Sequence, residues 1–178
     1  MHTSGLEKYC EKALQAGATD AKIIHPSTVV TAPWVRIKCM FGCQYQRYNC
    51  PPHSPTPAET RAILDSYKRA ILFRCEAPAS KERGRKNVAY FNALIDLEGE
   101  IFKDGYYKAF VMIAGPCYMC KECGKFTGVP CRNPGRPRPS MEAMGIDVYQ
   151  TARNNDFFIT TLKDKSETQN LYCLMLID

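Results

Sequence analysis

Four cysteines fall within fifteen residues, 117-CYMCKECGKFTGVPC-131, three of them at strict intervals of three. No other feature limits the chain so tightly. Thiols at that density require a loop that curls around a common centre, and a fold that presents it. A second run, 39-CMFGCQYQRYNCPPH-53, lies far upstream. With Cys10, Cys75 and Cys173 the chain has ten cysteines in 178 residues.

Cys117, Cys120 and Cys123 form C-x2-C-x2-C. A cubane iron–sulfur cluster offers three irons to three thiolates of one short loop and takes its last ligand from further away. Cys131 is the nearest candidate, with Pro130 and Pro134 stiffening the return. Zinc takes four tetrahedral ligands, usually as two short-spaced pairs. Cys120 and Cys123 make one such pair, and Cys117 and Cys131 would complete four, so zinc stays as the alternative. In two-cluster ferredoxins the last cysteine of such a run serves the other cluster, so Cys131 has two possible allegiances.

The upstream run is Cys39-x3-Cys43-x6-Cys50, a pattern able to hold a cubane by three thiolates and leave one iron open. His53, after two prolines, is a candidate fourth ligand, since imidazole binds iron and zinc. Two four-thiolate clusters need eight cysteines and the two runs supply seven. One centre is therefore complete and the other open, or His53 or a spare cysteine fills the gap, or both runs converge on a single metal centre.

Composition narrows the setting. Hydrophobic residues make up 45% of the chain, enough for a core that does not depend on metal to form. The expectation is a single domain over residues 1–178. The net charge of +6 is scattered apart from 81-KERGRK-86 and 132-RNPGRPR-138, and permits nucleic-acid binding without assigning it. The first residues carry charge throughout and no apolar leader core, and no apolar run reaches the ~18 residues of a membrane span. The expected setting is a reducing cytoplasm away from membranes, where clustered cysteines mean metal or redox chemistry.

Periodicity predicts a helix over 4–16 with Ser4 as its cap, a short strand over 19–25, and an apolar stretch over 28–38 that ends as a strand at Cys39. A rigid proline loop spans 50–57. Thr56 caps a helix over about 57–68, a strand covers 70–75, and the longest helix covers 83–104. A buried strand over 106–115 delivers Cys117, so each cysteine run is expected at the end of a core strand. Short helices follow at 141–144 and 147–154, and strands at 156–162 and 171–177 close the chain as a hairpin. The fold class is α+β or α/β, a mixed or antiparallel sheet flanked by helices, with two cysteine-rich metal-binding loops. Cys75 and Cys173 read as small core residues.

The joint pattern is specific. Cys39, Gly42-Cys43, Cys50-Pro51-Pro52-His53-Ser54-Pro55, then Gly115-Pro116-Cys117, Cys120, Cys123, Cys131, then 138-RPSMEAMGIDV-148 resembles an uncharacterised family of small, cysteine-rich, predicted metal-binding proteins, found largely in anaerobic bacteria and archaea. The resemblance runs through nearly the whole chain. It implies metal binding, with iron–sulfur as the expected form and those seven cysteines as ligands. It implies no reaction.

Three functions compete. The first is electron transfer through one or two [4Fe-4S] clusters, with a redox partner protein or small molecule and possible self-association. The second is an enzyme using an open-site cluster at Cys39, Cys43 and Cys50. The third is a zinc-stabilised nucleic-acid-binding module, with Tyr45, Tyr48 and Phe126 stacking on bases. Arg136 and Arg138 are candidates to offset the charge of a thiolate-bound cluster.

Overall fold

The computed structural model describes residues 5–44 and 46–178. Strands β1 (Asp20–Ile24), β2 (Ala70–Ala77), β3 (Phe110–Met112) and β4 (Gln169–Leu176) form one sheet in the order β1-β2-β4-β3, antiparallel at every ladder. Around it lie α1 (Glu7–Gln15), α2 (Pro33–Phe41), α3 (Pro57–Asp65), α4 (Arg83–Lys103), α5 (Gly124–Thr127) and α6 (Val148–Asn154). The class is α+β.

Side chains alternate across the strands, so each face has its own core. Ile71, Phe73, Cys75, Val111, Cys173 and Met175 face α1 and α4, where Tyr9, Leu94 and Ile101 are buried. Leu72, Met112, Leu174 and Leu176 face the other way, against Leu64 of α3, Met141, Ile146 and Ala152 of α6. Each large apolar side chain removed from water contributes about 1.5–3 kcal/mol, so the fold stands on this two-sided packing. Thr56 caps the start of α3, as expected, and does so through a full capping box with Glu59. The expected cap Ser4 lies outside the described residues.

Four expectations are corrected. The stretch leading into Cys39 is helix α2, not strand. Pro33 starts it rather than interrupting it, because the first turn of a helix needs no N–H partner. The expected closing hairpin does not form: β4 has β2 on one edge and β3 on the other. Residues 157–162 run as coil, held by Phe157 N–H on the Ala152 carbonyl (2.9 Å) and the Tyr172 hydroxyl on the Phe158 carbonyl (2.6 Å). The strand expected over 106–115 pairs only at Phe110–Met112, because 106–109 is a turn and Ile113 bridges Ser140 instead. Residues 141–145 make a hydrogen-bonded turn, not a helix, with Ser140 Oγ accepting from Ala143 N–H at 3.0 Å.

The segment 138–147 ties the molecule together. Ile113 N–H donates to the Pro139 carbonyl and Met141 N–H to the Ile113 carbonyl, which joins it to β3. Ala32 N–H donates to the Gly145 carbonyl and Asp147 N–H to the Val30 carbonyl, which joins it to the start of α2. Gly145 is required here: its φ is +76° and an added Cβ would stand 2.6 Å from Pro57 Cγ. Arg138 forms a buried bidentate pair with Glu98 of α4 (2.6 and 2.9 Å), and the same carboxylate accepts from Val111 N–H at 2.7 Å.

Candidate metal centres

The first cysteine group is built on the end of a helix. Cys39 lies in the last turns of α2 and Cys43 just past its cap Gly42. The loop that carries Cys50 is strapped on both sides. Gln46 Nε2 donates to the Met40 carbonyl (2.8 Å) and Arg36 Nη1 to the Pro55 carbonyl (2.8 Å), both on α2's side. Asn49 Nδ2 donates to the Arg138 carbonyl, and buried Ser54 Oγ to the Ala143 carbonyl at 2.7 Å. These bonds bring Cys39, Cys43 and Cys50 into one half-buried group.

Electrostatics identify its neighbours. Burial pushes the Cys39 thiol up to about 11, with Glu142, Cys43 and Cys50 adding negative charge beside it and Arg36 opposing. Burial also raises Cys50, against an N–H from Arg47 and the charges of Lys125 and Arg47. His53, the expected fourth ligand, is exposed and edge-on to the Tyr48 ring, with centroids 6.2 Å apart.

The second group hangs below β3, through Gly115-Pro116, as expected. Burial raises the Cys117 thiol, and the neighbouring cysteines Cys120, Cys123 and Cys131 raise it further. Cys131 is thus an electrostatic neighbour of Cys117. Gly124 lets the loop close, since a Cβ there would lie 2.6 and 2.8 Å from the Val129 and Pro130 carbonyl oxygens. Asn133 Nδ2 donates to Cys120 Sγ at 3.1 Å. Cysteines bind metal as thiolates, so any metal taken up by either group would displace their protons to solvent.

The two loops pack directly together. Tyr48 Oη donates to the Val129 carbonyl (2.8 Å), the Arg47 guanidinium lies 4.5 Å from the Phe126 ring centroid, and Lys125 is an electrostatic neighbour of Cys50. Tyr48 and Phe126 therefore serve this contact, while Tyr45, the third aromatic considered for base stacking, lies outside the described residues. Arg136 and Arg138 turn to Asp96 and Glu98 of α4, not to the thiols.

A cavity of about 900 Å³ opens beside the first group. Cys39, Cys43 and Trp34 line it from the α2 side, Phe91 from α4, Tyr149 from α6 and Glu142 from the central segment. That volume is at the upper end for small-molecule sites, roughly 300–1,000 Å³.

Among the described residues no three His, Cys, Asp or Glu side chains converge closely enough to hold a single ion. A polynuclear cluster makes a different demand, because each thiolate binds its own iron and the sulfurs stand apart. Several polar atoms around the first group fit a charged guest. Arg47 Nη1, Asn49 Oδ1 and Glu142 Oε2 are buried and have no hydrogen-bond partner among the described residues. Orphaned groups of this kind cost about 1–3 kcal/mol each unless something else satisfies them.

The model of the family described as "Predicted metal-binding protein (DUF2284)" matches residues 22–177. The chain belongs to that family. Metal binding is thereby supported for the protein, and the matched span takes in both cysteine groups and the segment 138–147. No curated protein and no solved structure matches the chain. Among the described residues no helix is long and apolar enough to cross a membrane.

Sequence reading named the seven cysteines and missed four of their neighbours: Arg47, Lys125, Asn133 and Glu142. Glu142 had a legible signal. It is an acid set among Met141, Ala143 and Met144, all buried, and a carboxylate in such a run needs a partner.

Proposed function

We propose that this member of the predicted metal-binding family is an iron–sulfur redox protein with two unequal [4Fe-4S] centres. Cys117, Cys120, Cys123 and Cys131 would hold a complete centre. Cys39, Cys43 and Cys50 would hold one whose fourth iron has no cysteine and faces the cavity. The observation that carries this reading is the grouping of Cys131 with Cys117, which leaves the upstream group one thiolate short. Such clusters supply one-electron chemistry, and an iron without a cysteine supplies a place for a small ligand.

The chain's own residues divide the work accordingly. Asn133 donates to Cys120 and so favours the more negative, reduced form of the complete centre. Arg47 and Lys125 place positive charge between the two groups, beside Cys50. The packing of Tyr48 on Val129 and Arg47 on Phe126 holds the two loops against each other, so electrons would pass between them without a further carrier. Trp34, Phe91 and Tyr149 would give that ligand an apolar wall to pack against. Electrons from a redox partner would enter at the complete centre and reach the ligand at the open one.

Anaerobically purified protein tests this by metal and sulfide content. The expected result is about eight irons and about eight sulfides per chain, with absorption near ~400 nm that bleaches on reduction. A colourless protein carrying zinc contradicts it.

A further inference from the structure

The buried carboxylate of Glu142 has no role in the scheme so far. The carboxylate takes hydrogen bonds from the Ser140 side chain and the Gly115 backbone, while its Oε2 atom is shielded from solvent and has no partner among the described residues, and the residue forms part of the cavity wall. The same wall contains Cys39 and Cys43, and Glu142 is among the acidic neighbours that raise the Cys39 thiol. The segment that carries Glu142 holds the Cys50 loop at two points, through Asn49 to Arg138 and Ser54 to Ala143. It also holds the start of α2 through Ala32 to Gly145. Glu142 is thus fixed in place by the elements that position all three upstream cysteines.

We propose that Glu142 is the fourth protein ligand of the centre at Cys39, Cys43 and Cys50, and that it is the ligand an incoming small molecule from the cavity displaces. The inference rests on the two-centre reading above. The alternatives are placed less well. His53 is exposed and turned to Tyr48, and Cys173 is wholly buried within the sheet. Carboxylate oxygen is a hard donor and thiolate a soft one, so among four ligands the carboxylate is the weakest held on a cluster iron. On binding, an iron–oxygen bond forms and the carboxyl proton, where present, passes to solvent. On displacement that bond breaks, the new ligand binds the iron, and the carboxylate retakes a proton. No electron moves in either step. A carboxylate that guards the iron keeps water from it and yields to a ligand that fits the cavity.

The test uses the anaerobically reconstituted full chain, with cyanide as the probe and the cluster's absorption and electron paramagnetic resonance as readouts. Iron content and circular dichroism are measured on every variant. Glu142→Gln, close in shape, is expected to keep its iron and to bind cyanide on the order of tenfold more tightly than the native chain, because cyanide no longer has to displace a carboxylate from the iron. Glu142→Asp should lie between the two, and His53→Ala should match the native chain. Full iron content with unchanged cyanide affinity in Glu142→Gln overturns the assignment and leaves the two-centre reading standing. A tightening in His53→Ala alone overturns it in favour of the imidazole. Iron content that does not fall when Cys43 is replaced removes the upstream centre, and the two-centre reading fails together with this assignment.

Discussion

The two cysteine groups are built by opposite means. The downstream loop is local: Cys117, Cys120, Cys123 and Cys131 come from one short stretch, and the close approach at Gly124 folds it back on itself. The upstream group is assembled at long range. Cys39 comes from a helix, Cys50 from a loop, and both are held by the segment 138–147. A locally closed loop can satisfy a cluster with its own thiolates. A site assembled from distant elements can leave a position free, border it with a cavity and place an acid beside it.

The largest expected effect follows from the count of thiolates. Cys43→Ser leaves the upstream group with two cysteines and should lose about half of the iron, whereas Cys131→Ser leaves three and should keep nearly all of it. Equal iron loss in the two variants would erase the distinction between the groups. Next comes the long-range anchor. Arg138→Ala strands buried Glu98, which costs about 3–5 kcal/mol, or a fall in Tm of roughly 6–20 °C. Because the same segment holds the Cys50 loop, this variant should lower iron loading upstream before downstream. Gly124→Ala is its local counterpart. Overpacking against Val129 and Pro130 should cost about 1–3 kcal/mol and disturb only the downstream centre, read from the spectra of the two centres. Asn133→Ala should lower the reduction potential of the downstream centre, since a donor to Cys120 is lost, and leave the upstream potential unchanged in a redox titration. The smallest effect belongs to a control. Thr56→Ala removes the α3 cap at a cost of about 1 kcal/mol by thermal melt and should alter neither centre.

What the sequence revealed follows the same divide. The downstream loop, its link to β3 and the cap at Thr56 were legible because they are written in neighbouring residues. Residues 33–41 were misread because a proline at a helix start and a proline inside a strand look alike until the N–H partners are known. The closing hairpin was misread because two apolar runs near each other in sequence do not reveal that β4 is already flanked on both edges. The position of Glu142 beside Cys39 depends on contacts across most of the chain, and spacing alone carries no such information.

The central claim is that the centres are unequal, one held by four cysteines and the other by three. Mössbauer spectroscopy of the anaerobic protein loaded with iron-57 tests it most directly. The account predicts that about one iron in eight has its own quadrupole doublet, distinct from the thiolate-bound irons, and that Cys43→Ser removes that doublet along with its cluster. A single uniform population of fully thiolate-ligated irons would contradict it.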